Sequence, residues 1–481
     1  MLENLKPEKP FYYFEEISKI PRGSGDTKAI SDYLVSFAKE HGLNYIQDKV
    51  NNVIIFKDGT KGYENSEPVI IQGHMDMVCE KEKNSKHDFS KDPLELEIND
   101  DFISAKETTL GGDDGVAVAI GLAILDSNDI PHPPIEAVFT VDEETSMLGA
   151  SHIDLSKLKG KKIINIDSEN MGTLTVGCAG GLDVKVKLDL DSAKVKGSQY
   201  EVSISNLVGG HSGTEIDKER GNANVLLARV LNILYEEYDI LLVDMKGGSK
   251  RNAIPVSATA SIVLDTEYEK EVSKKLEKIE KELKNEYKYS DKDISISMKR
   301  VTGEKTLECI NSNDTLKIIS LLMLLPNGVD SMNAAIPSLV ESSSNVAIVE
   351  CNGKHFCVDI SVRSSVSSKK YTIADKITVL ANLIGASVET GGDYPAWEYK
   401  KDSKLSEIMT KVYERKYGEK PKVEVIHAGL ECGIFSEKIK GMDAVSIGPD
   451  IYDIHTFNER LSISSFKECY EFVEDTLGEL K

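Results

Sequence analysis

His74 and Asp76 stand two residues apart at the end of an apolar run, a spacing that could serve metal chemistry. The run at residues 69–71 predicts a buried β-strand that ends on His74. In an extended chain residues i and i+2 point to the same side, so an imidazole and a carboxylate are presented together. Metal-bound histidines are usually oriented by a carboxylate or carbonyl. We therefore expect His74 to be a metal ligand and Asp76 to orient it or to handle protons. The alternative is a surface loop with two ordinary polar residues.

Acidic residues also stand next to three later apolar segments. They are Asp113 and Asp114, then Glu143 and Glu144, then Asp167. The first pair lies in a glycine-rich loop before an apolar helix, where a capping role is the alternative. The second pair follows an apolar strand and could also be a solvated turn, and the third group ends another apolar strand. Ligands of open α/β sheets bind at the carboxyl ends of strands, so we expect these groups and His74 to converge on one sheet edge.

Composition excludes several classes of partner. The 481 residues carry 58 Lys and Arg against 80 Asp and Glu, a net charge of −22. This charge argues against binding to nucleic acid or to an anionic membrane surface, because both need a basic patch. The seven cysteines form no CxxC pair, and we find neither a signal peptide nor an apolar run long enough to span a membrane. We expect a soluble, cytoplasmic protein.

The order of predicted elements indicates an α/β protein with two domains. Residues 1–183 alternate strands and helices, residues 184–392 change in texture, and residues 393–481 return to the first pattern. The first and last segments are expected to form one domain, with the middle segment inserted. Within the insert we predict helices at 222–238, 267–288, 313–325 and 368–384 and strands at 200–207, 256–265, 338–350 and 355–363.

The chemistry that these residues favour is hydrolysis at a pair of divalent metal ions. Such ions lie about 3.5–4 Å apart in aminopeptidases and related hydrolases. The site needs a bridging carboxylate, further His and carboxylate ligands, and one more carboxylate that takes a proton from water. The chain offers candidates for each role, and Zn²⁺ is the commonest occupant of such a ligand set.

Short motifs along the chain carry a family resemblance. They are QGHMDMV, TTLGGDDG, DEET, INIDSE, VGCAGG, GGHSG, GNAN, RNAIP, IHAGLECG and SIGP followed by His455. Together and in this order they resemble the M20 metallopeptidases over nearly the whole chain, and the bacterial dipeptidases among them most. The resemblance implies an α/β/α catalytic domain of the zinc-peptidase type and an inserted α+β lid domain that also mediates formation of a homodimer.

The resemblance also implies a ligand set for two divalent metal ions per chain. Asp113 would bridge the two ions. His74 and Asp167 would complete the coordination of one ion, and Glu144 and His455 would complete that of the other. Zn²⁺ is the expected ion, with Mn²⁺ or Co²⁺ as alternatives.

Four further residues receive roles from the resemblance. Asp76 would lie behind His74, and Glu143 would be the general base that activates the attacking water and later protonates the leaving amine. In the inserted domain, His211 of the GGHSG motif would help to stabilise the tetrahedral intermediate. Arg363 would hold the carboxylate end of the substrate.

The function implied is hydrolysis of dipeptides, including Xaa-His and broader substrates. A related amidase, such as an aminoacylase or a tripeptidase, is the alternative, and a non-catalytic peptide-binding protein is a further one. Asp142 and Asp114 depart from the family pattern, which typically has uncharged residues there, and both would add negative charge near the metals. His427 and Glu431 stand in a glycine-rich loop that could line the substrate pocket and receive no role.

Overall fold

The computed structural model describes residues 1–334 and 336–481. The chain divides into two compact units. The first unit contains Met1–Cys178, Tyr399–Val425 and Leu430–Lys481, and the second contains Ala179–Glu398 and Ile426–Gly429. Both units combine helices with β-sheets, which confirms the predicted α/β class.

The unit limits differ by a few residues from the predicted domain limits of 1–183, 184–392 and 393–481. The strand Gly180–Asp189 pairs along its length with His355–Ser364, so the second unit begins before residue 184. Residues 426–429 also join the second unit, where the N–H of Ala179 donates to the carbonyls of Ile426 and Ala428, 3.1 Å in each case. The roles of the segments as catalytic and lid domains stay a prediction.

The first unit contains two sheets in the described part of the chain. The larger has eight strands in the order Asn44–Gln47, Val53–Lys57, Ile135–Thr140, Val69–His74, Lys162–Asn165, Asp443–Ser446, Thr173–Cys178 and Lys422–Ile426. The smaller has four strands in the order Ile451–Tyr452, Arg460–Ser462, Phe102–Ala105 and Leu96–Asn99. The four middle strands of the larger sheet are parallel, so their carboxyl ends lie at one edge.

Burial on both faces explains the apolar runs in the middle strands. Every residue of Val69–His74 and of Ile135–Thr140 is buried. Strands of parallel sheets are covered on both faces and are therefore nearly continuous in apolar residues. Each of the four parallel strands ends on a polar residue, namely His74, Thr140, Asn165 and Ser446.

One helix of the first unit is buried along almost its whole length. The helices of this unit are Glu8–Ser18, Lys28–Glu40, Gly112–Leu125, Glu143–Ser146, Leu148–His152, Lys404–Tyr417, Glu431–Lys438 and Ile463–Glu479. All residues of Gly112–Leu125 except Asp113 are buried. A helix that is apolar on all sides belongs in a core, and this one packs against Glu8–Ser18 and against the strand Val69–His74.

The second unit is built on an antiparallel sheet that has nine strands among the described residues. Eight lie in the order Ser295–Ile310, Ser192–Ser205, Ala258–Leu264, Leu241–Gly247, Val340–Cys351, His355–Ser364, Gly180–Asp189 and Ser387–Tyr394, and Gly328–Met332 pairs with Val340–Cys351. Gly210–His211 and Ala253–Ile254 form a separate pair. The α-helices are Ala223–Tyr238, Glu269–Glu286, Ser312–Leu324 and Ser367–Leu383, with short 3₁₀ turns at Ile216–Lys218 and Thr266–Tyr268. The four helices predicted in this part of the sequence are confirmed.

None of the seven cysteines, all of which lie in the described part of the chain, is joined in a disulfide bond. Searching the described residues for a helix that is both long enough and apolar enough to cross a membrane finds none.

The contact between the strand Val69–His74 and the helix Gly112–Leu125 predicts the effect of Gly73→Ala. A Cβ at Gly73 would lie 2.2 Å from the Cβ of Ala117 and 2.4 Å from Oδ2 of Asp114. The strand must therefore move off the helix, and we expect the free energy of unfolding to fall by about 1–3 kcal/mol, the usual cost of overpacking. Urea unfolding of the variant measures this change.

Gly303→Ala is the matched control, because a Cβ at Gly303 has no atom within 4 Å. An equal loss of stability in both variants would show that the tight contact at Gly73 has no special effect.

Candidate metal centre

The carboxyl edge of the parallel strands gathers the five side chains predicted to bind metal ions. They are His74, Asp113, Glu144, Asp167 and His455. Asp113 comes from the start of the buried helix, and His74, Glu144 and Asp167 are at or just beyond the ends of the parallel strands. His455 lies in the loop between the short strands Ile451–Tyr452 and Arg460–Ser462. The structure places all five close together, and their role as ligands stays a prediction.

The carboxylate of Asp113 lies between the two histidines. Its Oδ1 is 3.1 Å from Nε2 of His74, and its Oδ2 is 3.2 Å from Nε2 of His455. One oxygen therefore faces each imidazole. A carboxylate that bridges two metal ions uses its two oxygens in this divided way.

The other carboxylates are distributed between the same two imidazoles. Oε2 of Glu144 is 3.0 Å from Nε2 of His455, and Oδ1 of Asp167 is 3.7 Å from Nε2 of His74. Two sets of three residues each have ligand atoms that lie within 4.8 Å of one another. The first set is His74, Asp113 and Glu144, and the second is His74, Asp114 and Asp167. These sets overlap the predicted ones without matching them. We favour Asp113 as the bridging group because its oxygens face both histidines.

The charges at this centre fit divalent cations. The side chains of Asp113, Glu144 and Asp167 are 11%, 6% and 8% exposed. Among the described residues their ion pairs are with histidines and not with Lys or Arg. Hydrogen bonds to Asp113 and Glu144 raise the pKa of His455 to about 11. Burial and the neighbouring carboxyl groups raise the pKa of Asp167 well above its usual range. The cluster thus holds more buried carboxyl groups than its two histidines can pair, and oxygen and imidazole ligands are those that Zn²⁺ and similar ions accept.

Asp76 connects a histidine with the glutamates. Its Oδ1 lies 3.3 Å from Nδ1 of His74 and accepts the backbone N–H of Glu143 at 3.1 Å. Its Oδ2 accepts the backbone N–H of Glu144 at 3.4 Å and the hydroxyl of Ser24 at 2.7 Å. A carboxylate behind a metal-bound histidine fixes the ring and its tautomer. The geometry therefore fits the orienting role expected of Asp76.

Glu143 is a half-buried acid whose ionisation is suppressed. Burial and the nearby carboxylates of Glu431, Glu144 and Asp113 together raise the pKa of Glu143 to about 8 against an opposing effect of His74. Cations bound at those carboxylates would lower this pKa toward neutrality. A carboxylate with a pKa near the working pH is well suited to accept and return a proton.

One of the two acidic departures from the family pattern, Asp114, adds less charge at the centre than the sequence implied. Burial raises the pKa of Asp114 well above its usual range, and Oδ2 of Asp114 accepts the backbone N–H of His74 at 3.1 Å. A protonated carboxyl there supplies the same acceptor as an amide would. The carboxylate of Asp142 accepts the backbone N–H of Gly25 at 2.6 Å.

A buried polar network lies just below the centre and includes Glu431, which had no assigned role. Its Oε2 accepts hydrogen bonds from Nε2 of Gln72 and from the hydroxyl of Thr140, both at 2.6 Å. Oε1 of Gln72 accepts from Nδ2 of Asn165 at 2.6 Å. Gln72 and Asn165 each precede a predicted ligand by two residues. The network thus joins three neighbouring parallel strands close to where they present their ligands.

In the second unit, His211 is held as a neutral imidazole. Its Nδ1 accepts the backbone N–H groups of Thr214 at 3.1 Å and Gly213 at 3.3 Å. Burial and the charge of Arg363 together lower the pKa of His211 to about 4. With Nδ1 occupied as an acceptor, Nε2 carries the proton and can donate a hydrogen bond.

Arg363 belongs to a second buried group in the same unit. Its Nη1 donates to the hydroxyl of Tyr394 at 3.1 Å, and its side chain forms no ion pair with a carboxylate of the described residues. Nε2 of His427 lies 2.7 Å from the hydroxyl of Ser343, and burial together with the charge of Arg363 lowers the pKa of His427 to about 3. A guanidinium that forms no ion pair with a described carboxylate and lies near a neutral histidine is suited to bind an anion.

Sequence reasoning missed three charged residues of the first unit that lie at or near the centre. They are Arg22, Glu169 and Glu459. Burial raises the pKa of Glu169 to about 7, with a further contribution from Asp113. Glu169 follows Asp167 by two residues, and that i, i+2 spacing is the one signal in the sequence that could have marked it.

Removal of metal ions should make stability fall as the pH rises. The pKa values of Glu143, Glu431 and Glu169 are raised by burial to about 8, 7 and 7. A carboxyl with a raised pKa stabilises the folded state while protonated, and this contribution is lost as pH rises through the raised value. We expect the melting temperature of the metal-free protein to fall by several degrees between pH 6 and pH 9.

Differential scanning fluorimetry with and without chelator measures this dependence. Glu143→Gln should weaken it in the metal-free protein, because one of the three titrating groups is removed. A melting temperature of the metal-free protein that is constant or rises over this range would contradict the expectation.

Comparison with known proteins places the chain in a family. Residues 70–479 match Peptidase family M20/M25/M40. The chain is 35% identical over 481 residues to the cytosol non-specific dipeptidase of Escherichia coli (strain K12), a match that covers 100% of this chain and 99% of that protein. It is also similar to the crystal structure of aminoacylhistidine dipeptidase from Vibrio alginolyticus, with a TM-score of 0.91, 35% identity and coverage of 100% and 98%. An aminopeptidase from Bacillus cereus shares the fold at a TM-score of 0.58 and 16% identity, covering 99% of each chain. The chain therefore belongs to peptidase family M20/M25/M40, as its motifs predicted.

Proposed function

We propose that this protein is a cytoplasmic, metal-dependent dipeptidase that hydrolyses Xaa-His and other dipeptides. The observation that carries the proposal is the carboxylate of Asp113, whose two oxygens each face one of two histidines. Full-length similarity to two dipeptidases supports the substrate class. The excess of buried carboxylates supports metal dependence.

Two divalent ions would be held by the five predicted ligands, with Asp113 between them. His74 and Asp167 would bind one ion, and Glu144 and His455 the other. Bound ions of this kind polarise a carbonyl and lower the pKa of water. Zn²⁺ is the ion that we propose from the ligand set, and Mn²⁺ or Co²⁺ could replace it.

Glu143 would move the proton during hydrolysis. As the water oxygen bonds to the carbonyl carbon, the carboxylate of Glu143 takes a proton from that water. As the carbon–nitrogen bond breaks, Glu143 returns the proton to the amine nitrogen, so both products leave with their protons balanced. Asp76 would fix the position of the His74 ring relative to the backbone of Glu143, since its carboxylate contacts both.

The second unit would supply groups that bind the substrate and would act as the lid. His211 is suited to donate from Nε2 to the carbonyl oxygen as negative charge develops there. Arg363 is suited to hold the substrate's carboxylate, because it has no carboxylate partner among the described residues. Recognition of a free carboxylate close to the scissile bond would favour dipeptides over proteins.

Replacement of Glu143 tests the proposal. We expect wild-type protein loaded with Zn²⁺ or Mn²⁺ to cleave a panel of dipeptides that includes Xaa-His. Glu143→Ala should keep its metal ions but lose kcat by about 10²–10⁴-fold, the usual contribution of general base catalysis. Turnover is measured by amine release and metal content by elemental analysis.

Asp142→Asn is the control, because it removes a neighbouring charge whose carboxylate contacts Gly25; we expect turnover within a few-fold of wild type. Wild-type protein that holds two ions per chain but cleaves N-acyl amino acids and no dipeptide would show that the substrate class is wrong. Binding of dipeptides without any turnover would exclude an enzyme.

We also propose that the chain forms a homodimer through the second unit. Two helices of this unit that pack against each other, Ser312–Leu324 and Ser367–Leu383, carry exposed apolar residues on their outer faces. Leu324 is 64% exposed, and Val379 and Leu383, one helical turn apart, are 59% and 77% exposed. Large exposed apolar patches mark association sites, and we propose these residues as part of one.

Leu383→Glu should therefore shift the protein toward the monomer. A charge in an apolar interface is desolvated without a partner, so the association weakens. Sedimentation at micromolar concentration should give about twice 53.0 kDa for wild type and a mass near 53.0 kDa for the variant. Val301→Glu, on the exposed strand Ser295–Ile310, should behave as wild type. A wild-type mass near 53.0 kDa would exclude the dimer.

A further inference from the structure

Glu459 gathers four consecutive backbone N–H groups on one buried carboxylate. Glu459 as a whole residue is 2% exposed. Oε2 accepts from the N–H groups of Leu110 at 2.8 Å and Gly111 at 2.9 Å, and Oε1 accepts from those of Gly112 at 2.7 Å and Asp113 at 3.3 Å. These groups belong to the segment that ends on the bridging carboxylate. Glu459 therefore fixes the backbone from which Asp113 projects.

Arg22 holds the same segment from its carbonyl side. It is 2% exposed, and its Nη2 donates to the carbonyl of Gly111 at 2.5 Å. Its Nη1 donates to the carbonyls of Met75 and Asp76, both at 3.2 Å. The peptide groups of Gly111 are thus bound by a carboxylate through N–H and by a guanidinium through C=O. The guanidinium also joins this segment to the one that follows His74.

Arg22 and Glu459 pack so closely on Gly111 and Gly112 that a side chain at either glycine would contact them. Gly111 has a φ of 66°, and a Cβ there would lie 2.5 Å from Nη2 of Arg22. A Cβ at Gly112 would lie 3.2 Å from Oε1 of Glu459. Glycine permits both the backbone conformation and the approach of the two charged side chains.

Glu459 also lies in the loop that carries His455, four residues earlier. The N–H of Glu459 donates to the carbonyl of Thr456 at 3.1 Å, which closes the loop between the two. One short loop therefore supplies a predicted ligand for one ion and the acceptor that positions the ligand shared by both ions.

We propose that Glu459 is a positioning residue that places Asp113 between the two metal ions, with Arg22 completing the support. This inference rests on the metal centre of the proposed function. Since Asp113 would be shared, loss of Glu459 should weaken the binding of both ions. Loss of a ligand that serves one ion, such as Glu144, should weaken mainly that ion.

Glu459→Gln tests this inference with little change in volume. The amide nitrogen would face two backbone N–H donors and leave them without an acceptor. Calorimetric titration of the metal-free, full-length protein with Zn²⁺ or Mn²⁺ should show both ions bound about 10–100-fold more weakly, the usual cost of changing a group behind a metal ligand. Excess metal should restore most of the lost dipeptide turnover, which a merely unfolded variant would not show.

Glu136→Gln is the matched control. Glu136 is also buried, at 4% exposed, and its carboxylate accepts the backbone N–H groups of Lys159 and Gly160 at 2.9 Å and 3.0 Å. It is near the start of the strand Ile135–Thr140, at the opposite end from the metal centre. We expect Glu136→Gln to lower the melting temperature while both metal affinities stay within about twofold of wild type.

Three results would overturn the inference. The first is a folded Glu459→Gln variant that binds both ions as tightly as wild type. The second is a loss of metal affinity in Glu136→Gln that equals the loss in Glu459→Gln. If Glu459→Gln does not fold, Gly112→Ala carries the test, because the added Cβ would lie 3.2 Å from Oε1 of Glu459 and push the carboxylate by a few tenths of an ångström. Unchanged affinities in that variant would be the third result. Metal binding is measured without a peptide, so a wrong substrate class would leave these results intact while the dipeptide assay fails.

Discussion

Concentration of negative charge at one edge of the sheet is the constraint on which the rest of this structure depends. Asp113, Glu144 and Asp167 are almost buried, and two imidazoles are the cationic side chains that contact them in the described residues. A buried charge without compensation costs several kcal/mol. The first unit must therefore hold these groups rigidly and admit cations. Because metal binding energy adds to folding energy, stability and metal content are linked.

The hydrogen-bond donors of each buried carboxyl group indicate whether it supports the backbone or can bind a metal ion. Asp76 accepts two backbone N–H groups and Glu459 accepts four, so the backbone fixes the position of each carboxyl group. In the described part of the chain, Asp113 and Glu144 contact histidines in place of backbone donors, which leaves their oxygens available to metal ions. The same functional group thus serves as scaffold or as ligand according to its donors.

Much of this could be predicted from local patterns. Apolar runs that end on His74 or precede Glu143 identify buried parallel strands, because both faces of such strands are covered. The helices of the second unit have amphipathic patterns and lie within a few residues of their predicted limits. The long strand Ser295–Ile310 was not predicted, because it is largely exposed and rich in charge and so lacks an apolar pattern.

The sequence by itself determined the family, the α/β class and the residue types available for a two-metal hydrolase, because these depend on short motifs and on local periodicity. Only the tertiary structure decided which oxygen of Asp113 faces which histidine, that Asp114 lies behind His74, and that Glu459 positions the bridging carboxylate. Glu459 and Leu110 are 349 residues apart in the chain. Contacts at that separation depend on how the sheet, the buried helix and the C-terminal loop pack together, which no local pattern specifies.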